Sequence, residues 1–421
     1  MKTLMTTAAL AAMMTTSAAS AADLRMSWWG GESRHVATQE ALKICGEKHG
    51  HTIAPEFTGF DGYLEKLTTQ MAGGTEADIV QVNWPWLPLF SKDGNGFADL
   101  NGLSDVIDLT QLTEEQRAAV TVDGKLNGLP LSTSGRVFFF NLTTLEEAGV
   151  AVPTTWDEFF AAAEALRAAK GDEYTLFNAV KETAQLLVTL AVVQKTGKDL
   201  VDPATNRVAW TAEELAAGIA HYGKMVETKA IRSMQEDAAA GNVNLYEKPE
   251  WAEGKIAGSY EWDSTYSKYA KPLNEGQNLQ AVAHLRFDDA VVDGIYAKPS
   301  MFFAVSANAK DPKAAAQIVN CLLNEAEGID ALGDTRGLPA SAIAAKRLTD
   351  AGAINPNVAA ANAIVMAASG PTISPFNEHP EVRGIFIDTL EEYAYGMISA
   401  DEAAEVIIDG ANKVLRGFDP S

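Results

Sequence analysis

The chain has 421 residues, 47% of them hydrophobic, and a formal charge of −23 at pH 7. Such acidity repels nucleic acid and anionic membranes at long range, so neither is an expected partner; small ligands stay open, because a local Arg or Lys reverses the sign inside a cleft. About 400 residues follow the leader described next, more than one hydrophobic core usually organises, so two domains are expected.

The leader is "MKTLMTTAALAAMMTTSAASAA", residues 1–22: an early lysine, a weakly apolar run, then small residues of the A-x-A type. That layout predicts a secretory signal cleaved after Ala22 or Ala21, and hence a periplasmic protein. Losing Lys2 takes the charge to −24. With no cysteine at the cleavage point, a lipid anchor is not expected. No later run reaches the ~18 apolar residues of a membrane span.

Strands and helices then alternate. "DLRMSWW" (Asp23 to Trp29) reads as a strand, and Ser33 to His49 as a helix with Ala37, Ala41, Ile44 and Cys45 on its apolar stripe. "TIAPEFT" is a second strand, followed by a helix starting near Asp61 and stopping at Gly73-Gly74. "ADIVQV" is the continuous apolar strand of a buried parallel sheet. This βαβαβ order predicts a doubly wound α/β domain, in which ligands lie beyond the carboxyl ends of the strands. Trp28-Trp29 and "NWPW" (Asn83 to Trp86) both fall there, so two separate strands deliver aromatics to one edge.

"DGKLNGLPLSTSGRVFFFN" carries a strand, Val137 to Asn141, that crosses into a second lobe. A helix opens at the Thr155/Glu158 capping box and ends at Gly171. Helices are expected over about 183–194 and 211–227, and a strand runs into the loop carrying Tyr260, Trp262 and Tyr266. Asp311 caps a further helix with Pro312 at its first position, and the tail holds two amphipathic helices.

Cys45 and Cys321 are the only cysteines; in an oxidising compartment they form either a disulfide or two buried free thiols. The six histidines show no ligand spacing, so no metal or other cofactor is expected. No G-x-S-x-G, H-E-x-x-H or Walker motif occurs.

Several stretches, in order, resemble the extracellular solute-binding proteins of carbohydrate ABC importers, the group that includes maltose-binding protein. They are the "W-G" after the first strand, "KLTTQMAGGTEADIVQVN", "GKLNGLPLSTSGRVFFFN", "LEEAGVAVPTTWDEF", "GKIAGSYEWD" and "FFAVSANAKDPKAAAQIVNCLL". Within that group, "LRMSWWGGESRH" and the stretch from Gly59 to Leu100 look most like the binding proteins for oligogalacturonides. The resemblance implies two α/β lobes, each a doubly wound sheet flanked by helices, joined by crossing strands at a hinge. The first lobe is residues 23–131 plus 298–339 and the second 132–297 plus 340–421. It also implies a monomer without catalysis that binds an oligosaccharide between the lobes and presents it to the permease subunits of the importer.

A pyranose offers flat C–H faces that stack on aromatic rings and a rim of hydroxyls that need directed hydrogen bonds. A uronate adds a carboxylate, which calls for Arg or Lys. The expected ligand-binding set on the first lobe begins with Trp28 and Trp29, at least one facing the cleft, with core packing as the alternative. Gly31 beside Gly30 allows close backbone approach, and Arg34 stands at the positive start of a helix. Asp61 bonds hydroxyls or caps its helix; Asn83, Trp84 and Trp86 follow the third strand. At the lobe crossing stand Ser134 and Arg136, the latter bound to ligand or to an internal acid. Tyr260, Trp262 and Asp263 occupy the place where the family sets an aromatic of the second lobe, and Phe302 and Arg336 are further contributors, with Lys298 and Glu378 beside them. Two alternatives remain: a binding protein for a neutral oligosaccharide, and a secreted hydrolase acting through two carboxylates.

Overall fold

A computed structural model describes residues 21–179, 181–294 and 296–418. The expected signal segment therefore lies, except for Ala21 and Ala22, outside the described residues. The first sheet is built from β1 (Asp23–Trp29), α1 (Glu32–His49), β2 (Thr52–Thr58), α2 (Tyr63–Gly73) and β3 (Ile79–Asn83). Strand β1 pairs in parallel with β2, from Asp23 opposite Thr52 to Trp29 opposite Thr58, and with β3 on its other side. Gly50 at φ 75° turns the chain out of α1, a conformation that favours glycine. Helix α2 starts later than expected. Its N-cap is Gly62 at φ 78°, and Asp61 lies outside the helix without capping it.

Further along come β4 (Leu129–Pro130), β5 (Thr133–Asn141), α3 (Trp156–Lys170), α4 (Glu182–Thr196) and α5 (Ala212–Glu227). After these come β6 (Gly258–Trp262), β7 (Leu279–Val282), β8 (Ala297–Pro299), β9 (Met301–Val305), α6 (Pro312–Asn324), α7 (Pro380–Ala394) and α8 (Ala400–Leu415). The first sheet has the order β2-β1-β3-β9-β4, with β9 antiparallel. The second has the order β6-β5-β7, with β8 against the first residues of β5. Its main ladder is antiparallel, and parallel bridges from Thr175 to Ile256 and from Asn178 to Ser259 widen it. The capping box of α3 forms as its sequence dictates, and Asp311 caps α6 ahead of Pro312.

The chain passes between the sheets at three adjacent points. Leu131 N–H donates to Met301 O at 2.9 Å, Ser300 N–H to Ser132 O at 2.9 Å, and Ala340 N–H to Leu131 O at 2.8 Å. The hydroxyl of Ser132 reaches Ser300 Oγ at 2.6 Å and Arg336 O at 2.8 Å, tying the three crossing segments into one buried knot.

On α1 the buried stripe is Thr38, Ala41, Leu42 and Cys45, while Ala37 and Ile44 are only half-buried. The rotation follows from packing against α6, where Cys45 is joined to Cys321 by a disulfide with Cα atoms 5.8 Å apart. Among the described residues no helix is long and apolar enough to cross a membrane.

A candidate ligand cleft between two sheets

The carboxyl edge of the first sheet carries an aromatic cluster. Trp29 packs its ring 5.1 Å from Tyr63 and 5.4 Å from Trp86. Phe60, exposed, stacks on Trp86 at 5.8 Å with planes 18° apart and meets Trp29 edge-on. Trp86 and Trp84 are themselves buried, Pro85 between them opening a short 3-10 turn, and Trp84 Nε1 donates to Ala119 O at 2.8 Å. Phe60 is thus the ring of this group that offers an open face, and the sequence reading passed over it.

Trp28 is a correction. It is fully buried, donates from Nε1 to His35 Nδ1 at 3.1 Å and packs 5.1 Å from Phe57. It is a core residue with no face for a ligand. Phe302, fully buried and edge-on to Phe97, and Tyr260, fully buried 4.6 Å from Phe138, move to the core for the same reason: both faces of each sheet are covered.

Two arginines lie behind the cluster. Arg34 donates from Nε and Nη2 to Thr335 O at 3.1 and 3.0 Å and from Nη1 to Trp29 O at 3.3 Å. This closeness explains Gly30, where a Cβ would stand 2.5 Å from Arg34 Cδ. Arg336 donates to Gln81 Oε1 and Thr38 Oγ1, both at 2.9 Å, and its buried Nη1 has no partner. Among the described residues neither arginine has a carboxylate within ion-pair distance. Burial lowers the Arg34 pKa to about 10, and burial beside Arg34 holds Arg336 well below the usual arginine range. Gly31 is exposed at the start of α1, and Asn83 is half-buried at the end of β3.

On the second sheet, the register of β5 and β6 sets Arg136 opposite Trp262. Trp262 is half-buried, with the Arg136 guanidinium carbon and Lys298 Nζ each 4.8 Å from its ring centre. Arg136 donates from Nη1 to Tyr260 O (2.7 Å) and Glu261 Oε2 (3.0 Å), and from Nη2 to Glu182 Oε1 (2.8 Å). Glu182 Oε2 accepts from Arg383 Nη2 at 2.7 Å, and Lys298 pairs with Glu378 at 3.2 Å. Burial pulls the Arg136 pKa down, but Glu182 and Glu261 carry it above the ordinary value. Burial would likewise raise Glu182, yet Arg383 and Arg136 bring it down to about 2.

Asp263 is fully buried and braces the start of β5, accepting from Ser134 Oγ, from Ser264 N–H at 2.7 Å and from Asn362 Nδ2 at 2.7 Å. Ser134 and Asp263 therefore act on each other. Asp61, exposed before α2, lies within electrostatic range of Tyr246 and Lys268. Glu182 and Arg383 carry no mark in the sequence beyond their helices. His49, Cys321 and Glu325 come together, but the sulfur of Cys321 is in the disulfide and Glu325 pairs with Lys48 at 3.0 Å.

The comparisons agree with this architecture. The family model of the bacterial extracellular solute-binding proteins matches residues 40–361. A putative binding protein of Brucella abortus is 33% identical over 129 residues, which is 30% of this chain and 31% of the relative; the match thus spans about a third of the curated relatives' length. A periplasmic solute-binding protein of Pectobacterium atrosepticum is 34% identical, with a TM-score of 0.89 over 95% of this chain and 100% of that one. A periplasmic oligogalacturonide-binding protein of Yersinia enterocolitica, solved with saturated digalacturonic acid, is 34% identical, with a TM-score of 0.90 over 94% of this chain and 99% of that one; a structure of that protein described without a ligand scores 0.76. By its two-sheet architecture, its threefold crossing between the sheets and this match over three-quarters of its length, the chain belongs to the bacterial extracellular solute-binding proteins.

Proposed function

We propose that this protein captures a uronate-bearing oligosaccharide, a short oligogalacturonide, in the cleft between its lobes, and delivers it in the periplasm to the permease of an ABC importer. The observation that carries this reading is Trp262: a half-buried indole that serves as a stacking platform, with the buried cations Arg136 and Lys298 each 4.8 Å from its ring centre. The Yersinia relative, bound to a digalacturonic acid, supports the same ligand class.

In this reading the lobes are residues 23–131 with 298–339, and 132–297 with 340–421, and they hinge about the knot at Ser132 and Ser300. Phe60 and the edge of Trp29 form one wall, Trp262 the other, and Arg34 and Arg336 add positive charge with no carboxylate within ion-pair distance among the described residues. Micromolar affinity corresponds to about −8 kcal/mol, within reach of two stacked rings and a few charge-assisted hydrogen bonds. The protein acts as a monomer and performs no chemistry on its ligand.

Calorimetric titration of the pure protein with di- and trigalacturonate tests this. Saturable binding with the sugar recovered uncleaved supports it. Silence with uronates and heat with a neutral oligosaccharide replaces the ligand class, and released monosaccharide replaces the binding protein with a hydrolase.

A further inference from the structure

The cations around Trp262 are already balanced. Arg136, Lys298 and Arg383 face Glu182, Glu261 and Glu378, three positive charges against three negative. A uronate that reaches Arg136 competes with the acids already paired there and beside it, and the structure distinguishes those acids. Glu261 is buried and also accepts from Ser259 Oγ at 2.9 Å. Glu378, 11% exposed in its side chain, pairs with the deeply buried Lys298. Glu182 is the most exposed, at 34% of its side chain, and its two oxygens divide between Arg136 and Arg383 as the oxygens of a ligand carboxylate would.

Resting on the uronate reading above, we propose that Glu182 is a resident stand-in for the ligand's carboxylate: it bridges Arg136 and Arg383, and the uronate displaces it. Binding is then an exchange of one carboxylate for another, in which the site keeps its charge balance and Glu182 regains water. Glu182 is the first residue of α4, and the residue before it, Lys181, is held at φ 50°, ψ −118°, a strained conformation for a residue with a side chain. Lys268, within electrostatic range of Glu182, offers the departing carboxylate a second partner near the surface. Arg383, whose ion pair among the described residues is with Glu182 alone, becomes a specificity residue contributed by a helix two hundred positions away. A sugar without a carboxylate has nothing to put in place of Glu182, so the exchange selects for uronates.

The test is Glu182→Gln in the full-length protein, titrated with digalacturonate and with its uncharged dimethyl ester. The exchange predicts at least tenfold tighter binding of the acid, and an acid-to-ester preference at least tenfold above wild type. Unchanged or weaker binding of the acid overturns it. Glu182→Thr is the second variant, read the same way if the glutamine protein does not melt like wild type. The two readings fail differently: wild-type protein that ignores digalacturonate but binds a neutral sugar ends the uronate reading. Wild-type protein that binds it, with variants that do not tighten, ends only the exchange.

Discussion

Arg136 and Trp262 stand directly opposite in the antiparallel register of the second sheet, the guanidinium carbon 4.8 Å from the indole centre. The cation is fixed from behind by Tyr260 O and Glu261, so it holds the indole at one angle while part of the ring stays open. A cation over an aromatic face contributes on the order of 1 kcal/mol, more where water is excluded. The ring is thus pre-set, and ligand binding does not have to order it.

Replacing that ring removes the platform but little of the core. Trp262→Ala is expected to weaken sugar binding tenfold or more, a loss of about 1.4 kcal/mol or above. Its far-UV circular dichroism should match wild type. Unchanged affinity in calorimetry would remove Trp262 from the site.

Trp28 tests the opposite assignment. It is fully buried against Phe57 and His35, so Trp28→Ala leaves a cavity and is expected to cost about 3–5 kcal/mol of stability. Ligand affinity of the folded protein should stay within about twofold of wild type. Chemical denaturation followed by titration separates the two; a stable variant that no longer binds would return Trp28 to the cleft.

The disulfide closes a loop of 276 residues between two buried positions on packed helices. Constraining so long a loop in the unfolded chain stabilises the fold by about 3–5 kcal/mol. Cys45→Ser combined with Cys321→Ser should lower the melting temperature without changing affinity, since the bond lies away from Trp262. A double variant that melts with wild type would show the bond to be dispensable.

Asp199 sets a pH dependence. It is buried, accepts from Ser374 N–H and Asn377 Nδ2 at 2.7 Å each, and burial pushes its pKa up to about 6 from 3.8. The folded state therefore holds this proton more tightly than the unfolded one. Its stabilising effect is full below about pH 4 and is lost as pH rises through 6, a change of roughly 3 kcal/mol at most. Asp199→Asn should remove that fall between pH 4 and 6 in urea-denaturation series. A variant with the wild-type slope would assign the dependence to another group.

Several elements were legible because their causes are local. The Thr155/Glu158 capping box, Asp311 before Pro312, and Gly73-Gly74 at the end of α2 are each a few residues acting on their own backbone. The reading of Asp61 as a possible cap failed because Gly62, at a positive φ, turned the chain one residue later. Strand alternation in Trp28-Trp29 suggested one ring inside and one outside. Helices cover both faces of a parallel sheet, so both rings are buried, and the open face fell to Phe60.

The sequence by itself determined the alternation of strands and helices, because periodicity, caps and strand ends are written over short spans, and its resemblance to the family carried the two-lobe class. Only the tertiary structure decided which rings stay open and which charges meet. Glu182, Arg136 and Arg383 come from a helix start, a strand and a distant helix, and no short-range pattern records that they share one ion-pair network. Burial and pairing are properties of the whole packed chain. A charged side chain declares its partner only when folding has removed the water around both.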